Sequence, residues 1–263
     1  MTSIARFSFL ASTAGLGGLA AGALLPTGPS LGLLSSAVLG WGALLTTGVF
    51  FPGLQMYGPV LCRGPAGARR VALTFDDGPN QQTTPRVLAA LRGTRHRATF
   101  FVLGNKVRER PDVARQIRDE GHALALHGDS HDRLHSFRSA ARVRDELRRA
   151  QDAVESATGL RPQLFRPPVG HTTPATLRGA RAAGVTVIGW SARGYDGLRG
   201  RRSEAVVAQI CRSLDDGAIV LLHDSAERDD FEPAGLRALP VLLAELDARG
   251  LTSVALEPWL AEK

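Results

Sequence analysis

Acidic residues are absent from the first 66 positions of this 263-residue chain, where Arg6 and Arg63 are the only charged groups, and all 25 Asp and Glu lie beyond them. A segment so poor in charge is not built to be a solvated surface, and the chain divides into a nearly uncharged head and a mildly basic body. Cysteine is scarce too. Cys62 and Cys211 stand far apart in unrelated contexts, which gives no basis for a disulfide framework, and neither has the C-x-x-C spacing of a zinc or redox site. Lysine is reduced to Lys106 and Lys263, so the net charge of +7 rests on arginine. Clusters such as Arg199-Gly200-Arg201-Arg202 could meet phosphate or anionic lipid, but without aromatic interleaving or a nucleic-acid motif they do not point to nucleic acid as a partner.

The head has apolar length instead of charge. Residues 7–25 and 31–51 are uninterrupted apolar stretches of 19 and 21 residues, separated by Pro26-Thr27-Gly28-Pro29-Ser30. Each could cross a hydrocarbon core of about 30 Å as a helix. Gly15, Gly17, Gly18 and Gly22 in the first suit close packing against the second. The sequence therefore predicts a membrane-anchoring region over residues 1–56, built as a helical hairpin. A signal peptide is the competing reading, with Arg6 as its charged start and Ala21-Gly22-Ala23 as an A-x-A cleavage site. In the hairpin reading Arg6 precedes the two stretches and Arg63, Arg69 and Arg70 follow them, so the positive-inside rule favours a cytoplasmic body.

From residue 70 onward, short apolar runs alternate with helical patterns. Strands are expected at 71–75, 98–102, 123–127, 163–166, 186–190, 218–223 and 251–256, and helices near 84–92, 107–120, 138–157, 174–183, 203–214 and 234–249. Seven strands alternating with helices over short loops imply an α/β fold with a parallel sheet or barrel. No repeat or low-complexity linker divides this part, so residues 67–263 are expected to form one domain.

Polar residues with chemical potential fall at the ends of these strands, where α/β folds place their sites. Thr74-Phe75-Asp76-Asp77-Gly78-Pro79 ends the first strand with adjacent carboxylates, a pairing that calls for a cation nearby. After the third strand, His127-Gly128-Asp129-Ser130-His131 puts two histidines four residues apart, a spacing that places both imidazoles on one face of a helical turn. A histidine-bearing surface helix would look the same. Joined to a carboxylate from another strand end, however, the pair becomes a facial metal set with open positions. Phe165-Arg166-Pro167-Pro168-Val169-Gly170 offers an arginine and a diproline-stiffened loop that could aim an amide N–H. Leu221-Leu222-His223-Asp224 carries a histidine out of an apolar run.

Assembled in this order, the motifs resemble those of the polysaccharide deacetylase family, the NodB-homology domain of carbohydrate esterase family 4: T-F-D-D-G-P, H-x-x-x-H, R-P-P-Y-G and L-x-H-D. The resemblance covers residues 67 to about 260. It implies a distorted (β/α)7 barrel and metal-assisted hydrolysis of an N-acyl amino sugar in a polysaccharide or lipid-linked glycan. Asp77, His127 and His131 would hold a divalent metal, most commonly Zn2+, with Co2+, Ni2+ or Mn2+ as alternatives. Asp76 would be the general base, kept ionised by its cationic surroundings, with Arg166 holding it in place. The Val169 N–H would face the oxyanion beside Pro167, His223 would protonate the departing amine, and Leu221 would line the acetyl pocket.

This chain departs from the family pattern at several positions. Val169 replaces the usual Tyr, and Gly128 replaces the Ser or Thr that stabilises the loop after the first histidine. Trp190-Ser191-Ala192-Arg193-Gly194-Tyr195-Asp196-Gly197 aligns with W-S-x-D-x-x-D-W; Asp196 is kept as a partner for His223, while Arg193 and Gly197 replace an Asp and a Trp. The substrate wall is therefore altered. A catalytically silent carbohydrate-binding relative would be expected to lose metal or base residues, whereas a metal-dependent amidase for a non-sugar N-acyl group is opposed mainly by the intact R-P-P and L-x-H-D stretches.

Overall fold

The computed structural model describes residues 4–23 and 28–261. The end of the first apolar stretch, residues 24–25, the first two residues of the expected turn and the last two of the chain lie outside them. Two helices, α1 (Ile4–Gly22) and α2 (Leu31–Phe50), form the head. Ser30 caps α2, its Oγ accepting the Leu33 N–H at 3.3 Å, and Trp41 Nε1 on α2 donates to Thr13 Oγ1 on α1 at 3.1 Å. Among the described residues, α2 alone is long and apolar enough to cross a membrane. In α1, Arg6 and a scatter of glycine and hydroxyl residues dilute the apolar character. The expected pair of spans is thus reduced to one candidate.

The body follows the alternation read from sequence: β1 (Arg70–Asp76), α3 (Thr84–Leu91), β2 (Ala98–Val102), α4 (Gly104–Glu109), α5 (Pro111–Asp119), β3 (Ala123–Leu126), α6 (Ala140–Thr158), β4 (Leu164–Phe165), α7 (Pro174–Ala182), β5 (Thr186–Val187), β6 (Ala192–Arg193), α8 (Ser203–Cys211), β7 (Ile219–His223), α9 (Gly235–Ala248), β8 (Thr252–Ser253) and α10 (Pro258–Ala261). The helix expected over 107–120 is two helices, because Pro111 cannot donate into the preceding turn and instead starts α5 at its first position. Strand β6 is additional to the seven expected.

All eight strands pair in parallel, in the order β5-β4-β3-β2-β1-β7-β6, with β8 against β1. The sheet curls without closing: among the described residues β5 and β6 are its edges, so the architecture is a half-barrel and not a closed (β/α)7 barrel. These edge strands are only two residues long. The segment before β1 bridges to the end of β5 and the start of β7, Leu61 to Ile188 and Arg63 to Ala218.

Alternation along β1 explains how this sheet delivers chemistry to one end. Val71, Leu73 and Phe75 join the larger apolar cluster beneath the helices, where Phe75 stacks on Phe100 at 5.1 Å between ring centroids. Ala72, Thr74 and Asp76 point to the concave face. There Ala72 packs with Phe101, Ala125, Leu164 and Ile219, and the polar residues follow toward the carboxyl end. Thr74 is the pivot: its Oγ1 donates to the Val220 carbonyl of β7 at 2.6 Å and accepts from Arg166 Nη1 at 2.8 Å. Thr74→Val preserves shape but leaves a buried guanidinium N–H and a carbonyl short of partners. It is expected to destabilise the fold by about 1–3 kcal/mol, read as a lower denaturant midpoint at unchanged slope.

Candidate active site

The carboxyl ends of β1, β3, β4 and β7 open into a cleft of about 680 Å3 lined by Asp76, Asp77, His127, His131, Val169, Asp196, Leu221 and His223. Arg166 lies behind Asp76 with no exposed surface, and Pro167 follows it, also buried. Every residue singled out from sequence therefore lines this cleft or stands directly behind it.

The two aspartates separate because the strand ends between them. Asp76 is the last residue of β1 and takes Arg166 Nη1 on Oδ1 at 2.7 Å. Arg166 also donates to the Gly189 carbonyl at 2.9 Å and stacks its guanidinium 4.1 Å from the centroid of Phe101. Burial pushes the Asp76 carboxyl up, while the Arg166 charge opposes it. Against the expectation that the surroundings simply keep Asp76 ionised, desolvation is the largest influence on the protein alone. Asp77 turns away with φ 74°, a left-handed backbone that few residues other than glycine adopt. Its Oδ1 is buried without a hydrogen-bond partner, 3.5 Å from His127 Nε2 and 3.6 Å from His131 Nε2.

The two histidines converge by a different local structure from the one expected. Residues 127–134 form an irregular loop, not a helical turn. Gly128 takes φ 99° there, and the Asp129 N–H donates to Glu146 Oε1 on α6 at 3.3 Å. Glu146 thus steadies the loop where the usual hydroxyl at 128 is missing. His127 Nδ1 lies 2.9 Å from the Arg166 carbonyl, which can only accept, so Nδ1 carries the proton and the Nε2 lone pair faces Asp77. Burial, with His131 and Arg166 adding to it, holds the His127 pKa well below its usual value, so the ring is neutral.

A neutral imidazole, a second imidazole and an unpartnered buried carboxylate oxygen, with ligand atoms all within 4.8 Å of one another, fit a divalent cation. The same geometry without a cation would leave Asp77 Oδ1 desolvated at a cost.

His223 ends β7, in register beside Asp76. Asp196 accepts its backbone N–H at 2.8 Å through Oδ2 and lies 3.1 Å from Nδ1 through Oδ1. Burial alone would lower the His223 pKa, but the charge and hydrogen bond of Asp196, with Asp77 and Asp76 behind, push it up to about 10. Val169 holds φ 60°, unusual for a β-branched residue, and the following Gly170 (φ 78°) is pressed by the Trp190 ring, which a Cβ there would meet at 2.2 Å.

Three supporting groups were not singled out from sequence. Asp224, buried beside Gly78, accepts a hydrogen bond from Thr84 Oγ1, and burial pushes its pKa up to about 7. Glu227 Oε2 lies 3.3 Å from His131 Nδ1 and is clamped by Arg133 at 2.6 and 2.8 Å. Lys106, buried, donates to Ser225 Oγ, the Ala226 carbonyl and Asp229 Oδ1, tying down the loop that carries Glu227. Only the position of Asp224 within L-x-H-D signalled any of these in the sequence.

Residues 63–188 match the family model described as polysaccharide deacetylase, a span that ends before Asp196, Leu221 and His223. The chain is 33% identical over 195 residues to the peptidoglycan-N-acetylglucosamine deacetylase of Listeria monocytogenes serotype 1/2a, covering 74% of this chain but only 40% of that protein's length. It is 37% identical over 194 residues to the chitooligosaccharide deacetylase of Bradyrhizobium sp. (strain ANU 289), covering 70% of this chain and 88% of that one. Among solved structures, the family 4 carbohydrate esterase from Streptomyces lividans in complex with acetate superposes with a TM-score of 0.65 at 31% identity, over 75% of this chain and 95% of that one.

The geometry around Asp77 makes a direct prediction about metal affinity. Equilibrium dialysis against Zn2+ with elemental analysis is expected to find one ion per chain, lost in Asp77→Asn and His131→Ala. Glu227→Gln, which touches His131 from behind, is expected to bind the ion roughly tenfold to a hundredfold more weakly.

Proposed function

The chain belongs to the polysaccharide deacetylase family, and from that premise we propose that it is a metal-dependent hydrolase removing N-linked acetyl, or a similar small acyl group, from amino sugars of a polysaccharide or lipid-linked glycan. The observation that carries this reading is the convergence, in one cleft, of a carboxylate fixed by arginine and a histidine fixed by carboxylate, paired in register on β1 and β7, with the Asp77, His127 and His131 set lining the same cleft. The matched relatives are named for peptidoglycan N-acetylglucosamine and chitooligosaccharide substrates. Nothing in the cleft favours a silent relative, since no residue of the metal or acid–base set is lost, and nothing specific favours a non-sugar substrate.

Asp77, His127 and His131 would hold the divalent ion, Zn2+ or alternatively Co2+, Ni2+ or Mn2+. When bound, it supplies Lewis-acid polarisation of the substrate carbonyl and lowers the pKa of water. The chain's own residues do the rest. Arg166 occupies Oδ1 of Asp76, leaving Oδ2 to take the proton from the attacking water. Pro167 and Pro168 stiffen the approach to Val169, whose N–H faces the developing oxyanion. Leu221 walls the acyl methyl. Because Asp196 engages Nδ1 of His223, the proton on Nε2 is the one passed to the leaving nitrogen as the carbon–nitrogen bond breaks, giving a free amine and a carboxylic acid.

Residues 1–56 would serve as the anchor, with α2 as its membrane-crossing element, and residues 67–263 as the catalytic domain. With α2 as the single crossing, Arg6 lies on one side and Arg63, Arg69 and Arg70 on the other, and the larger count beside the body favours a cytoplasmic body. A reporter fused after Lys263 is expected to be active only in a cytoplasm-dependent format; activity confined to the outside would refute this orientation.

Acetate release from N-acetylated glycans, followed against pH with Zn2+ or Co2+ present, tests the chemistry. Asp76→Asn is expected to abolish turnover while the ion still binds, and retained activity would remove Asp76 as the base. The acid form of His223 exists below its pKa of about 10, so activity is lost as pH rises through that value. Asp196→Asn withdraws the charge that raises this pKa, so the alkaline limb should move down by roughly one to three pH units. An unmoved limb would exclude His223 as the proton donor.

A further inference from the structure

The cleft continues past its chemistry in two directions, toward unpaired positive charge and toward the apolar helix α2. Apart from Asp77, whose Oδ1 faces the two histidines without a hydrogen bond, its carboxylates are engaged: Asp76 by Arg166, Asp196 by His223, Glu227 by Arg133 and Asp230 by Arg199. Two exposed arginines that line the same cleft, Arg193 and Arg228, have no carboxylate partner among the described residues. Arg193 is fixed by aromatic groups. Its guanidinium lies 4.3 Å from the Tyr195 ring centroid and 5.6 Å from that of Trp190, and Nη2 donates to Tyr195 Oη at 2.9 Å. It stands in register with Leu221 on β7, two residues before His223. A held cation beside the acyl pocket, with donors left over, suits a planar fork for phosphate or carboxylate oxygens.

In the other direction, His171 lines the cleft and packs edge-on against Phe50, with ring centroids 4.6 Å apart, and the Thr172 N–H donates to the Val49 carbonyl at 3.1 Å. Val49 and Phe50 end α2, the one described helix able to cross a membrane. Phe50, Phe51 and Val169 are each more than half exposed, making an apolar shelf from the end of α2 to the cleft mouth. A cleft joined to such a helix opens where the helix leaves the hydrocarbon.

We propose that the substrate is an N-acyl amino sugar joined through phosphate to a membrane lipid: the hydrocarbon lies along α2, Arg193 and Arg228 take the phosphate, and the acyl group reaches His223 and Asp76. This deepens the deacetylase reading and rests on it. Arg193 is also where the resembled family has an acid, so the change of charge is a change of substrate.

The test uses the full chain in detergent or lipid nanodiscs with three probes: N-acetylglucosaminyl-diphosphopolyprenol, N-acetylglucosamine 1-phosphate and neutral tetra-N-acetylchitotetraose. Hydrolysis is read by mass loss of the acetyl group, and binding by calorimetry on the Asp76→Asn protein. The lipid-linked probe is expected to be preferred in both readouts, and Arg193→Gln or Arg228→Gln should each reduce the ratio of lipid-linked to neutral kcat/KM about tenfold. Equal use of the neutral oligosaccharide, or a ratio unmoved in both variants, would overturn the assignment. Equal use of the soluble sugar phosphate would remove the lipid. Selective binding without hydrolysis of any probe would leave the substrate assignment standing and defeat the deacetylase reading instead.

Discussion

The site depends on one buried cation. Arg166 has no exposed surface, yet its guanidinium meets Asp76, Thr74, the Gly189 carbonyl and the face of Phe101. Ionic groups removed from water are costly unless their partners are well placed, and taking away one member of such a pair typically costs about 3–5 kcal/mol. Arg166 itself follows β4, and its partners belong to β1, β2 and the segment after β5, so it joins four parts of the half-barrel at the floor of the cleft. The fold spends a buried charge to keep a carboxylate aimed where the strands end.

That constraint also explains why adjacent aspartates can serve different ends. The strand holds Asp76 in the concave column with Ala72 and Thr74, and the left-handed turn at Asp77 carries the next carboxylate out of that column toward the histidines. Like charges that would repel in a simple turn are thus given separate counterparts, Arg166 for one and the imidazole pair for the other. On the neighbouring strand the same logic recurs, with Asp196 buried so that a partly exposed His223 holds its proton far above its ordinary range.

Much of this was legible from sequence because strand ends are local signals. An apolar run broken by Gly78-Pro79 marks the end of β1, and similar breaks mark β3, β4 and β7. The histidine pair was misread as helical because spacing alone cannot distinguish a turn of helix from a loop steadied by Glu146 on α6. Pro111 split a helix that apolar periodicity had run together, and β6 is too short to show a period at all. Lys106, Glu227 and Asp224 escaped notice for another reason. Lys106 meets its partners 119 to 123 positions away, and no window along the chain joins them. The open edge between β5 and β6 was likewise hidden, since closure depends on what pairs with two-residue strands.

The hydrogen bond between His127 and residue 166 ends at a main-chain oxygen, not at the arginine side chain. An acceptor of that kind has no codon of its own: any amino acid at 166 would still present it. Sequence drift can therefore abolish the grip of this position on Asp76 while the neighbouring imidazole keeps its tautomer. In this architecture one position thus carries two separable tasks, the side chain of residue 166 gripping Asp76 and its carbonyl setting the His127 tautomer.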